Sequence, residues 1–264
     1  MKKNNTFLTV GCVLTAVMLT FLLLGCFWTP YSPTAIGTAD KMLSPSLAHL
    51  MGTDKFGRDI FSRVMAGAGT TFFIAFGTVG IGTVLGTLFG AVTGYFGGWV
   101  DEVLMRFNDA VAAFPGILLS LVVVSVLGPG KYHLMIALGI VFVPSYARIV
   151  RSEFARARAQ NYVRAAQLMG ASTPRILFVH ILPNVWRVLL SAVTIGFNNA
   201  VLAEASMSYL GIGVAPDEAS LGYMLSESQT YLATMPWYAI GTGLIIVLLI
   251  LGVSLVGEGL QRKE

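Results

Sequence analysis

Apolar side chains run along this chain in long blocks separated by short polar punctuation. Six stretches, 4–39, 64–100, 110–130, 132–147, 188–203 and 228–257, contain no Asp, Glu, Lys or Arg. A bilayer core takes about 20 apolar residues per helix, so most of these blocks can cross one, and the two shorter ones need adjoining turns. The pattern predicts six helices, at 7–27, 68–95, 104–127, 132–151, 187–209 and 237–257. Within the second, Gly82, Gly86, Gly90 and Gly94 recur at four-residue spacing, a stripe that lets another helix approach closely and that we assign to packing inside the bundle. Two connecting segments are long enough for structure of their own. In 28–66, Pro30 and Pro33 lead to Gly52-Thr53-Asp54-Lys55-Phe56-Gly57-Arg58-Asp59, where Thr53 or Asp54 is placed to cap a short interfacial helix running into the second span. In about 210–236, Gly211, Gly213, Pro216 and Gly222 argue against one continuous helix.

Composition agrees with the pattern. The chain is 55% hydrophobic and only 11% charged, against roughly 25% charged in soluble domains, so the expected class is an all-α polytopic membrane protein. Both cysteines, Cys12 and Cys26, fall in the first apolar block, which leaves helix packing rather than disulfides to hold the fold. Lys2 and Lys3 before an apolar run, with Leu23-Leu24-Gly25-Cys26 at its end, resemble a lipoprotein signal. The bulky Phe27-Trp28 after the cysteine and the further spans downstream favour an uncleaved first helix with Trp28 and Tyr31 at the interface. With a cytoplasmic N-terminus, inside segments carry Lys2, Lys3, Arg106, Arg148, Arg151, Arg156, Arg158, Arg164, Arg175, Arg187, Arg262 and Lys263, whereas outside segments carry Lys41, Lys55, Arg58, Arg63 and Lys131. That asymmetry satisfies the positive-inside bias and puts both termini in the cytoplasm. It also explains the arginines between 148 and 187 without any nucleic-acid partner.

Catalytic chemistry has little to stand on. Gly130-Lys131 is followed by Tyr132 and no Gly-x-x-x-x-Gly-Lys-Ser/Thr loop occurs, so the chain has no phosphate cradle for hydrolysing ATP. Gly80-Ile81-Gly82 has neither the strand nor the spacing of a dinucleotide site. His49, His133 and His180 are far apart and neither cysteine is near one, which points away from a metal site or a Cys-His nucleophile. The unusual charge is Glu204, at the end of the block 188–203 in the fifth span. An ionisable group there should face a cavity or a partner rather than lipid, so two readings stand: Glu204 lines a solute pathway, or it sits near the outer end of its span, hydrated at a subunit interface.

The most informative inside segment lies within 152–184: Asn161-Tyr162-Val163-Arg164-Ala165-Ala166-Gln167-Leu168-Met169-Gly170-Ala171-Ser172, continuing through Pro174 to His180-Ile181-Leu182-Pro183-Asn184. It reads as a short helix, a glycine break, a second short helix and a proline exit. Small Ala165 and Ala166 leave a shallow surface, and Gly170 permits a turn that a side chain would strain, a shape suited to docking into a partner's groove. Read blandly, the same glycine and proline simply end helices.

This segment resembles the "EAA" loop of ATP-binding-cassette importer permeases, in which Glu-Ala-Ala is followed after three residues by Gly and, nine residues later, by an apolar residue-x-Leu-Pro. Ala165, Ala166, Gly170, Ile181, Leu182 and Pro183 match as they stand, and Arg164 replaces the acidic residue. Tyr-Val-Arg-Ala-Ala resembles a variant of the dipeptide, oligopeptide and nickel branch, as do Gly52–Arg63, Gly94-Tyr95-Phe96-Gly97-Gly98-Trp99-Val100-Asp101 with Met105-Arg106, and Ser208-Tyr209-Leu210-Gly211-Ile212-Gly213. We take the Gly52–Arg63 stretch as structural, its arginines placed with Asp54 and Asp59 at headgroup level. The resemblance implies a leading helix and external loop over 1–67 and a permease core of five helices over 68–264. It further implies a homologous second permease completing the pore, two ATPase subunits that bind ATP and magnesium, and an extracytoplasmic binding protein. No cofactor is implied on this chain. The implied cargo is a nickel chelate or a di- or oligopeptide, and the compact loop from Pro30 to Gly52 is closer to nickel permeases. The rival class is an ATPase-independent secondary transporter or channel, which calls for inverted repeats or buried ion-coupling charges, and Glu204 alone fits that description.

Overall fold

In the computed structural model, residues 6–37, 40–215 and 217–261 are described. Pro216, Lys2, Lys3, Arg262 and Lys263, used above for turn and charge arguments, lie outside the described residues. The elements are α1 (Thr6–Phe27), α2 (Ile60–Phe96), α3 (Gly98–Ala112), α4 (Gly116–Leu127), α5 (Lys131–Arg158), α6 (Asn161–Leu168), α7 (Thr173–Arg175), a π-helical turn (Ile176–Ile181), α8 (Leu182–Tyr209), α9 (Leu221–Gln229) and α10 (Pro236–Gln261). Among the described residues the only β pairing is an isolated bridge between Thr53 and Asp59. Five helices are long and apolar enough to cross a membrane, and α3 with α4 makes a sixth crossing that is bent by 86°.

That bend departs from the single span expected at 104–127. Pro115 follows Phe114 at the break, and Pro disfavours helical geometry in the residue before it, so the chain leaves α3 and restarts as α4 at Gly116. α3 is amphipathic and carries Asp101 and Asp109 to α5, where Asp101 receives Arg151 Nε and Nη2 at 2.5 Å each and Asp109 receives Arg148 Nη2 at 2.8 Å. The second departure is at the start of α2. No separate interfacial helix forms. Asp59, not Thr53 or Asp54, is the N-cap, accepting from the Ser62 amide at 2.7 Å, and the helix then runs unbroken for 37 residues. The fifth span likewise starts earlier than expected, at Leu182, and Pro183 is no exit. It occupies the first turn of α8, where the missing N–H is not needed.

α2 and α5 run parallel in close contact. A Cβ placed on Gly82 would lie 2.8 Å from Phe142 Cβ, on Gly86 2.5 Å from Tyr146 Cβ, and on Gly90 2.5 Å from the Ala147 carbonyl oxygen; on Gly94 it would collide with the Arg151 carbonyl. The pairing 82/142, 86/146, 90/147–150, 94/151–154 advances in the same direction on both helices, which sets their sense. α1 and α10 pair antiparallel by the same device, with Gly11 against Val256, Gly252 against Thr15 and Gly259 against Leu8. Gly25 of α1 meets Met65, which brings the end of α1 to the start of α2.

A substitution that adds volume at the α2–α5 seam should separate the helices, because the listening partner at Gly90 is backbone and cannot rotate away. Gly90→Val should destabilise the protein by about 1–3 kcal/mol, whereas Gly80→Ala, whose Cβ would meet nothing within 4 Å, should be neutral or slightly stabilising. Thermal unfolding in matched detergent checks this, and an unaltered transition for Gly90→Val would contradict the seam.

Candidate functional site

The segment from α6 to α8 forms one protruding unit. α6 ends on Gly170, whose φ of +77° is the left-handed conformation that favours glycine. The Gly170 amide donates to the Gln167 carbonyl at 3.0 Å and the Ala171 amide to the Ala166 carbonyl at 3.0 Å, the paired bonds of a Schellman cap. A Cβ on Gly170 would touch nothing within 4 Å, so backbone conformation alone is what requires glycine here. Val163 and Ala166 point inward and are buried with Ile176, Leu177 and Ile181. Ala166 is 2% exposed and belongs to the packing of the loop onto its own chain, not to the shallow outer surface expected of it; Ala165 and Arg164 are exposed. Gln167 Nε2 donates to the Tyr95 hydroxyl at 3.1 Å, which ties α6 to the end of α2.

Beside exposed Asn161 and Arg164, the unit presents large apolar side chains outward. Leu168 is 90% and Met169 80% exposed at the tip, with Tyr162 beside them. Arg164 and Arg158 flank a polar cavity of about 360 Å³ at the base of α6, and Arg158 also donates to the Phe96 carbonyl at 3.0 Å. His180 and Leu182 are half-buried and Pro183 is exposed; the His180 carbonyl accepts from Asn184 at 2.7 Å. From Thr173 the backbone stays helical through the π-turn into α8 and on to Tyr209, a run of 37 residues.

At the opposite end, the Gly52–Arg63 stretch folds around Asp54. Its carboxylate accepts from the Phe56 amide at 2.8 Å, the Arg58 amide at 2.9 Å and Arg58 Nε at 2.6 Å, and it also pairs with Arg63. Burial would by itself push the Asp54 pKa up, but the Arg58 amide and guanidinium and the charge of Arg63 hold it below the ordinary carboxylate value. The Arg63 and Asp54 side chains are each only 2% exposed, enclosed by the protein itself. The second carboxylate is Glu227 of α9, 3.0 Å from Arg63, 3.3 Å from Arg58 and 3.2 Å from the Tyr238 hydroxyl. Asp59 meanwhile holds His49 Nδ1 at 2.9 Å. Glu227 and Tyr238 carry no sequence signal of this role, because both lie far from Arg63 along the chain and neither belongs to a recognisable motif.

Glu204 is fully buried. It accepts from Ser208 at 2.7 Å, with the hydroxyls of Thr71 and Ser220 beside it, so it faces α2 and the start of α9 within this chain. Neither a pathway wall nor a hydrated outer end describes that position. Small neighbours allow the approach: a Cβ on Gly222 would collide with the Ala205 backbone.

Comparison with known proteins gives this architecture a family. Residues 86–263 match the family described as the binding-protein-dependent transport system inner membrane component. The chain belongs to that family. It is a multi-pass inner-membrane permease, a conducting subunit rather than a catalytic one, in a transport system whose ATPase is a separate subunit. The dipeptide transport permease DppC of Alkalihalophilus pseudofirmus is 34% identical over 259 residues, covering 98% of this permease and 85% of the relative. The glutathione transport permease GsiD of Pectobacterium atrosepticum is 35% identical over 240 residues, covering 89% and 80%. Among solved structures, a chain of the inward-facing MetNI methionine ABC transporter superposes with a TM-score of 0.62 at 18% identity, over 76% of this permease and 95% of that chain, a likeness of fold.

Removing one member of the buried ion cluster should expose its importance. Arg63→Met removes the more deeply buried of the two cations that Asp54 and Glu227 share, leaving Arg58 alone between them, and should lower stability by about 3–5 kcal/mol. Because the Asp54 pKa is depressed on folding, its contribution is fully present above the ordinary carboxylate range near ~4 and fades only as pH falls below it. Thermal unfolding between neutral and mildly acidic pH checks both statements; a wild-type protein already destabilised near neutrality by loss of this cluster would contradict the second.

Proposed function

We propose that this permease carries short peptides inward as one half of a two-permease pore, with the α6–Gly170 unit seated on a separate ATPase. The observation that carries the docking is the tip itself: Leu168 and Met169, 90% and 80% exposed, stand on a rigidly closed turn. Two adjacent large apolar side chains displayed on a closed turn outside the spans fit a partner's groove. Helix continuity from Thr173 to Tyr209 supports a mechanical role, since displacement of the tip reaches the membrane without passing through a loose linker. ATP and magnesium belong to the ATPase in this reading, and a binding protein delivers solute at the α9 end.

The peptide cargo rests on relatives. DppC of Alkalihalophilus pseudofirmus and the probable D,D-dipeptide permease DdpC of Escherichia coli, 31% identical over 261 residues, are named for dipeptides. Their weight moves the cargo from the nickel chelate that the compact loop favoured to a peptide. Orientation follows the described arginines: Arg156, Arg158, Arg164 and Arg175 cluster at the α6 end, which is therefore cytoplasmic, with the α9 end outside. In this arrangement α1 and the segment to Asp59 are a leading addition to a core of five spans.

Two experiments test the reading. In a variant with Cys12 and Cys26 replaced by serine, cysteines at exposed Ser46 and Ala233 should react with an impermeant thiol reagent added to sealed cells, and one at exposed Ser172 should not. Labelling at Ser172 alone would invert the topology. Gly170→Val should strain the turn by about 1–3 kcal/mol and lower both ATPase co-purification and peptide uptake while membrane abundance holds. Gly170→Asn, which tolerates the left-handed conformation, should recover most of both. Normal ATPase retention and uptake in Gly170→Val would remove the docking assignment.

A further inference from the structure

The exposed surfaces of the spans differ in kind. Along α2 the exposed side chains are Phe73, Phe76, Val84, Leu85, Leu88 and Phe96, and along α10 between its ends they are Ile240, Leu244, Val247 and Leu251. Such surfaces suit lipid. α5 and α8 also expose apolar side chains, Ile136, Ile140, Ile195 and Leu202 among them, but between these they expose Ser145, Arg148, Asn199 and Ser206. Asn199 stands about 18 Å of helix beyond Arg187, deep within the uncharged stretch of its span. A primary amide displayed there faces water or a partner in preference to hydrocarbon.

Between the two helices the surface is hollow. A recess of about 260 Å³ opens between α5 and α8, lined in part by Ser145, Tyr146 and Asn199 with Phe142 and Ile195. Gly196 shapes it: a Cβ there would collide with the Tyr146 hydroxyl, so the glycine lets the phenol lie flat across the floor. Tyr146 is 2% exposed, and its hydroxyl makes no hydrogen bond, with Thr83 its polar neighbour. At the α6 end the polar track continues through Arg148, paired with Asp109 at 2.8 Å and more than half exposed.

We propose that this recess is a peptide-backbone contact site on the solute path. The ligand class follows from the lining. The Asn199 amide and the Ser145 hydroxyl each donate and accept, which matches the N–H and C=O of an amide. No charged side chain lines the recess, and Phe142 and Ile195 supply apolar walls. Such a site holds a backbone while tolerating different side chains. Its volume falls just short of the ~300–1,000 Å³ of complete ligand pockets, as one wall of a path closed by a second permease should. Glu204, enclosed elsewhere in the subunit, plays no part in it.

This rests on the peptide-importer reading, and the test separates the two. In the Cys12→Ser, Cys26→Ser background, Asn199→Cys should react with a small water-soluble thiosulfonate about tenfold faster than Leu244→Cys on the apolar face of α10, because the thiolate forms in water and not in lipid. A tripeptide taken up by the same cells should slow the reaction at Asn199→Cys and leave Leu244→Cys unchanged. In uptake assays, Asn199→Leu should raise the apparent KM about three- to tenfold, the loss of one or two hydrogen bonds, with ATPase co-purification unaltered, and Asn199→Gln should restore part of it. Equal labelling at Asn199→Cys and Leu244→Cys would overturn the site, as would rapid labelling that peptide does not slow in cells that do import it. Absence of tripeptide uptake in the unmodified protein would instead overturn the cargo reading, and the peptide site with it.

Discussion

The fold depends on how closely α2 and α5 approach. In a bilayer no hydrophobic driving force favours helix against helix over helix against lipid, so association comes from dispersion contacts and from backbone brought near backbone. Four glycines on α2, each facing an α5 atom at a distance that leaves no room for a methyl group, supply that contact over most of the span. The parallel sense of the pair then dictates much of the rest. Two parallel neighbours in sequence require a crossing between them, and α3 with α4 makes it, bent so that α3 can deliver Asp101 and Asp109 to Arg151 and Arg148. The seam thus fixes where the loop after α5 emerges and where α6 can sit against Tyr95.

At the other end the restraint is electrostatic. Asp54, Arg58, Arg63 and Glu227 join the segment before α2 to α9, and Tyr238 adds α10. Buried ion clusters of this kind specify position more than they add stability, since desolvation offsets much of the attraction. Here the position specified is that of α9, a short helix that Leu221 and Met224 also anchor in the core. Glu204 and Thr71 contribute on the same side, with the Leu221 amide donating to the Thr71 hydroxyl at 3.2 Å. Both ends of the bundle thus combine close packing with charge, and the deeply buried ion cluster is at the α9 end.

The spans were legible because apolar run length is a strong signal, and the glycine stripe because its spacing is regular. What the pattern concealed was where helices begin and bend. Asp59 outcompeted Thr53 and Asp54 for the cap of α2 because Asp54 is occupied by Arg58 and Arg63, a choice made by residues distant from any capping rule. The segment from α6 to α8 was legible as helix, turn and helix, yet the side of α6 on which Ala166 lies depended on tertiary packing with Ile176 and Ile181. Glu204 attracted notice as a lone charge, and its true surroundings came from Ser208, Thr71 and Ser220, residues too ordinary to single out. The recess at Asn199 was invisible for a similar reason: one amide in an apolar stretch acquires meaning only when Ser145 and Tyr146 of another helix stand opposite.

The unbroken run from Thr173 to Tyr209 makes this segment a beam. Its 37 residues extend about 55 Å, with the turn at Gly170 beyond one end and Asn199 past its middle. Pivoting such a beam by about 10° about its centre would sweep each tip through roughly 5 Å, close to one helical turn. Within this run Ile176–Ile181 is the one place where the winding is looser than α, and it lies between the turn at Gly170 and the long apolar part of α8. A π-turn can be tightened or relaxed locally without breaking the helix, so it gives the beam an elbow whose stiffness decides how much of any displacement at the Gly170 turn becomes rotation of the helix around Asn199 and how much is absorbed before it arrives.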